Sequence, residues 1–189
     1  MRTAAAAGAI ILGATAVAAV TASAASAAPR CWTGSWKVTS ASADLDSKDL
    51  KFKLKGGSGI KLKLAKNGKA TYDFTGSRPL TGSGSVKGVP TKATLTLDKK
   101  LVLKNKISGS AKGGIVGKPK TASGDATLTV RSGLITRKID VPREVRRNGD
   151  MGVVPRNARY TCSGKTLTIR QTVDQADLLS KTVWRLKRA

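Results

Sequence analysis

The chain has 189 residues, 35 of them Lys or Arg against 11 Asp or Glu, with a formal net charge of +24 and no histidine. Without histidine the usual general base near neutral pH is gone, as is the commonest metal ligand, so Ser-His-Asp and Cys-His catalysis are excluded. The charge implies solubility and attraction to polyanions, and leaves the fold open.

The first stretch reads as a targeting segment. Arg2 is followed by an uncharged run from Thr3 to Ala28, apolar from Ile10 to Val20 and ending in small residues from Ala22 onward. This order predicts a secretory signal peptide over residues 1–27, with Ala25-Ser26-Ala27 at the cut and Ala28 beginning the mature chain. The run is long enough to span a bilayer, but its Ala and Gly content makes it a weak inserter. The expectation is therefore a secreted, extracellular, monomeric protein with no stable membrane insertion after cleavage. Cys31 follows Ala28-Pro29-Arg30, which is not the Leu-containing box that lipid modification needs. With Arg2 removed, 34 basic against 11 acidic residues leave +23. Residues 28–189 suffice for one domain with a real core.

Beyond Ala28 the dominant pattern has period two, the signature of half-buried strands. Trp36 to Ser40 opens it. Leu50, Phe52 and Leu54 alternate with Lys51, Lys53 and Lys55, and Gly56-Gly57-Ser58-Gly59 breaks the pattern. Ile60, Leu62 and Leu64 resume it. Asn67-Gly68 is the strongest hairpin signal, because a type I′ turn needs positive φ at both central positions. The returning strand points Ala70, Tyr72 and Phe74 inward. Further strands are predicted at 93–97, 101–107, 126–130, 134–141, 160–162, 167–173 and 182–186. Gly76 to Gly88, Ser108 to Gly124 and Pro142 to Arg159 read as loops, rich in Gly or in basic residues. Asp174 to Leu179 reads as a helical turn or a hairpin loop. Nine to eleven short strands in one domain point to a sandwich or a closed barrel.

Little chemistry is on offer. Glu144 is the only glutamate, and Asp44, Asp46 and Asp49 read as turn formers without a calcium-loop pattern. No Gly-rich phosphate loop is present. The chain is read as a non-enzyme without metal or cofactor. Cys31 and Cys162 are expected to form one disulfide in an exported chain. Closing so long a loop is worth about 4–5 kcal/mol in the chain-entropy picture. A basic cluster runs through Arg131, Arg137, Lys138, Arg143, Arg146, Arg147, Arg156 and Arg159. Arg forks pair with phosphate and carboxylate, so Arg137, Lys138, Arg143, Arg146, Arg147, Arg156 and Arg159 are candidate polyanion-binding residues.

Gly34-Ser35-Trp36 on the first strand resembles the Gly-x-Trp mark of the lipocalin and calycin superfamily. The wider layout resembles secreted actinobacterial lipocalin-like proteins of unknown function. The matching parts are Gly34 to Ser40, Lys66-Asn67-Gly68-Lys69, Asp73-Phe74-Thr75-Gly76 and Tyr160 to Thr168. The resemblance implies the barrel and not the sandwich: an all-β, single antiparallel, lipocalin/calycin-like up-and-down barrel of about 8–10 strands, with Trp36 closing one end. It also implies a basic residue of the last strand, Arg185 or Arg188, packed across that ring. It further implies a binding protein that carries a small apolar or amphipathic ligand. The alternative class is a basic extracellular or cell-surface protein that binds anionic polymers such as teichoic acid, nucleic acid or acidic polysaccharide. A third reading is a protease inhibitor presenting Val141-Pro142-Arg143 on a loop.

Peptide mapping of the secreted protein without reduction should yield a crosslinked fragment holding Cys31 and Cys162. Two alkylatable thiols in freshly secreted protein would contradict the pairing.

Overall fold

The computed structural model describes residues 30–148, 152, 154–175 and 178–189. The predicted leader and its cleavage site lie outside the described residues. What is described is almost entirely β, and its thirteen strands occupy eight positions in an antiparallel barrel.

The reason thirteen becomes eight is that long strands bend. β1 (Gly34–Asp46) pairs with β3 (Lys61–Leu64) over its first half and with β2 (Leu50–Gly56) over its second. β2 and β3 are thus two halves of one bent strand. The Gly-rich break between them keeps the ladder alive, because Gly59 N–H donates to Val38 O (2.9 Å) and Val38 N–H donates to Ile60 O (2.8 Å). In the same way β4 (Lys69–Asp73) runs on into β5 (Leu80–Val86), β6 (Val89–Asp98) into β7 (Lys100–Ile107), and β8 (Lys112–Gly124) into β9 (Thr127–Ser132). At the third of these bends the register does not slip. Asp98 faces Thr127 on one side of the corner and Leu101 faces Gly124 on the other. Lys99 turns the corner at φ 66°. Opposite it, the N–H groups of Asp125 and Ala126 both donate to Lys100 O at 3.0 Å.

The sixth position is shared. β10 (Ile135–Asp140) pairs with β9, and β11 (Asn157–Ser163) pairs with β8. Between them lies α1 (Val141–Asn148), packed on β8. Then β12 (Thr166–Gln175) and β13 (Leu178–Arg188) lead back to β1, paired from Trp36↔Arg188 to Asp46↔Leu179. The barrel is therefore closed at the end where β1 meets both β3 and β13. At the other end β10 pairs only with β9, and the wall parts between β10 and β12. These are the closed and open ends below.

Three stretches read as loops contain regular structure. Gly76–Gly88 includes β5, and Ser108–Gly124 includes β8. In β5 the glycines are a packing device. A Cβ on Gly82 would lie 1.8 Å from Lys53 O, so only glycine allows β5 this close to β2. The third stretch, Pro142–Arg159, contains α1. Asp140 caps that helix, its Oδ1 accepting from Arg143 N–H at 2.8 Å. Pro142 sits in the first turn, where a missing N–H costs nothing. Val141 and Val145, four apart, are fully buried against the barrel. Val141-Pro142-Arg143 therefore opens a docked helix and is no inhibitory loop. Asp44 and Asp46 lie on β1, facing out, while Asp49 alone is in the turn. Asp174 and Leu179 face each other across the β12–β13 hairpin, whose tip lies outside the described residues.

Inward positions are apolar and inaccessible. Trp36, Tyr72, Phe74, Leu101, Leu103, Leu167, Ile169 and Trp184 fill the closed half, and Phe52, Leu54, Leu80, Leu95, Leu97 and Leu128 fill the wider half. Tyr72 lies 6.0 Å from Phe74 and meets Trp184 edge-on at 6.1 Å. Burial pushes its phenol well above the usual range, and the neutral O–H donates to Pro155 O at 3.2 Å.

Gly82→Ala should cost about 2–3 kcal/mol by forcing β5 off β2. Urea unfolding checks this. An unchanged midpoint would mean that the two strands are not held this close in solution.

Candidate functional site

Two surfaces bring the sequence-predicted residues together. The first is the closed end. Gly34 adopts φ 122°, a conformation that disfavours any other residue, and a Cβ there would stand 2.5 Å from an Arg188 nitrogen. The Arg188 guanidinium lies over Trp36, 4.4 Å from the ring centroid. Its two terminal nitrogens donate to Thr33 O (3.0 Å) and Cys31 O (2.8 Å). The Trp36 indole N–H donates to Trp32 O at 2.8 Å, and the Trp32 indole N–H donates to Gly109 O at 3.1 Å. The segment before β1 is thus drawn across the barrel floor. The Cys31–Cys162 disulfide fixes it to β11, with a Cα–Cα distance of 6.0 Å.

Of the two arginines considered for this closure, Arg188 makes it. Arg185 is exposed on the outer face, and its part is played by the backbone, where Arg185 O accepts from the Thr39 hydroxyl at the β1 bulge. The rule of two explains the choice. Trp184, Leu186 and Arg188 share the inward face, and residue 185 points the other way. Trp32, which completes the floor, was not singled out from the sequence. It lies before the first strand, where no alternation marks it.

The second surface is the outer wall around α1. Arg146 and Arg147 stand on the last turn of the helix, where cations suit the helix dipole. Arg146 reaches down to β8 and donates to Ala122 O at 2.6 Å. Beside it runs a hollow of about 670 Å³, lined by Lys118, Lys120, Arg146 and Arg147, with Gly117 and Pro119 on its floor. Among the described residues no carboxylate lines it. A second hollow of about 770 Å³ follows the β8–β11 seam, with Lys112 and Arg159 at its sides. A third, of about 360 Å³, sets Asp44 and Asp46 against Lys51, Lys53 and Lys181, so its charges largely cancel.

Arg156, expected on the polyanion-binding surface, does line the groove, but it is only 5 % exposed and also acts as a fastener. Its N–H donates to the Gln171 side-chain oxygen (2.7 Å), its guanidinium donates to Val145 O (3.4 Å), and its O accepts from Gly117 N–H (3.0 Å). It thereby ties α1, β8 and β12 together beneath the groove. Arg143 is exposed on α1, Arg159 lies on β11, and Arg137 and Lys138 lie on β10. The predicted cluster is therefore spread over three elements. Of its members, Arg146, Arg147 and the largely buried Arg156 line the groove, joined by Lys118 and Lys120. Those lysines went unnoticed because their segment reads as a Gly-rich loop. Alternation of Lys118 and Lys120 around Pro119 was the available signal. Among the described residues no group of His, Cys, Asp or Glu is placed to hold a metal ion.

No protein family, curated protein or solved structure matches this chain.

Arg188→Ala should cost about 1–3 kcal/mol, since it removes the stack over Trp36 and two charge-assisted bonds. Arg188→Lys should recover only part, because an ammonium cannot fork between two carbonyls. Arg185→Ala should be near neutral. Equal losses at 185 and 188 in urea unfolding would contradict the closure.

Proposed function

We propose that the mature protein is a non-enzymatic extracellular barrel of lipocalin-like type that binds anionic polymers of the cell envelope through its outer wall. The observation that carries this is the groove beside α1, where Lys118, Lys120, Arg146 and Arg147 converge with no carboxylate among the described residues that line it. Two arginine forks suit phosphate or carboxylate pairs, and two lysines add charge along the run. Teichoic acid, extracellular nucleic acid and acidic polysaccharide all present such groups. The Cys31–Cys162 bond is at home in an oxidising compartment, in keeping with export.

The small-ligand reading is the weaker of the two. A ligand-sized void would leave the inward side chains open to water. Instead the large ones in both halves are buried, and among the described residues packed against them Leu45, Leu50, Ile107, Val130 and Ile139 are partly exposed.

Binding to polyphosphate or heparin should weaken linearly in log affinity against log salt. Replacing Lys118, Lys120 and Arg147 with Ser should flatten the slope by about 2–3. Replacing Lys51, Lys53 and Lys61 should change it far less. Equal flattening by both triples would show a diffuse charge effect, and no binding near physiological salt would dismiss the reading.

A further inference from the structure

Five large apolar side chains stand exposed among the described residues, and four of them sit at the open end. Val86 and Val89 flank the β5–β6 turn. Leu134 and Ile135 form the tip of the β9–β10 hairpin. Leu134 is fully exposed and Ile135 is 71 % exposed. The fifth, Val116, lies on the outer wall of β8. Single exposed apolar residues are ordinary, but a collection of them on hairpin tips at one end is not. Leu134 also follows Gly133 in a two-residue turn, a place that favours Gly, Asn or Asp. Leucine brings the turn nothing.

The charges around these tips have one dominant sign. Arg131, Arg137 and Lys138 stand exposed on the β9–β10 hairpin, set back from Leu134 along both strands. Lys87 occupies the β5–β6 turn. The one carboxylate on β9 and β10 is Asp140, at the far end from the tip, where it caps α1. Asp46 ends β1 and pairs with Lys51 at 3.8 Å, Asp49 lies in the neighbouring β1–β2 turn, and Asp174 stands exposed near the end of β12 on the same rim. Apolar tips with cations behind them fit the boundary of an anionic bilayer. The apolar groups enter the headgroup layer, and the long basic side chains reach the phosphates. A soluble polyanion would use the cations and leave Leu134 unexplained. A second copy of this chain would bring +24 against +24.

We propose that the open-end hairpin tips dock peripherally onto an anionic lipid bilayer, with Leu134 and Ile135 entering the headgroup layer and Arg131, Arg137 and Lys138 meeting the phosphates. This surface is separate from the groove beside α1 and does not depend on the polymer-binding reading.

The test is cosedimentation of the purified protein with vesicles of equimolar phosphatidylglycerol and phosphatidylcholine, and with vesicles of phosphatidylcholine alone. The protein should bind the anionic vesicles and not the neutral ones. Leu134→Ser with Ile135→Ser should weaken that binding about tenfold or more, without loss of folding, because both side chains are exposed. Replacing Lys118, Lys120 and Arg147 with Ser should leave it within about twofold. Unchanged binding by the Leu134/Ile135 variant would overturn the proposal, as would failure of the wild type to sediment with anionic vesicles. So would a concentration-dependent dimer that the same variant abolishes.

Discussion

The guanidinium of Arg188 over the ring of Trp36 is the contact on which the closed end depends. It joins the last strand to the first at the place where the barrel closes. The same guanidinium holds the backbone of residues 31 and 33 through two carbonyls. Trp36 in turn holds Trp32, and Cys31 is bonded to Cys162 on β11. Floor, first strand, last strand and sixth position are thus one connected unit. Each link needs the others, since Gly34 must stay glycine to let Arg188 in, and Arg188 must sit inward to reach Trp36.

A barrel this basic needs such an anchor. Its outer face carries lysine after lysine, and the described ion pairs, Lys51–Asp46, Lys99–Asp125 and Lys100–Asp73, are long at 3.8–4.0 Å and exposed but for the half-buried Asp73. Pairs of that kind contribute little. Stability rests instead on the ladder that closes around one end of the barrel and on the apolar interior. With that interior filled, the surfaces proposed for recognition are the outer wall and the open rim. There lie a groove that no described carboxylate lines and a set of apolar tips backed by cations. On the readings proposed above, the two surfaces would take different partners, a charged polymer and a lipid surface, and would be disabled by separate substitutions.

Much of the closed end was legible in the sequence. Gly34-Ser35-Trp36 and the paired cysteines each report a single local requirement, and the Lys–apolar alternation of β2 and β3 reports a wall with one wet face. Bends were harder to read. Where β6 passes into β7 the chain carries Asp98-Lys99-Lys100, with nothing to say that the ladder continues around the corner. β5 and β8 were hidden by glycines that serve close packing between strands and look, one residue at a time, like turns. α1 has only eight residues and two buried valines, too short for its period to show. The groove was therefore legible in half: its arginines were noticed for their charge, and its lysines were lost with their strand. Charge alone did not reveal that Arg156, in the groove lining, is a guanidinium buried as a fastener.

The most direct test of the anchor is hydrogen exchange followed residue by residue on the intact, oxidised protein. If the closed end is the cooperative anchor, amides in β3, β11, β13 and the first half of β1 should exchange slowest, and only through global unfolding. Those of β10, paired on one side alone, should exchange much faster through local opening. Protection of β10 equal to that of β1 and β13, or exchange at the closed end through local opening, would contradict it.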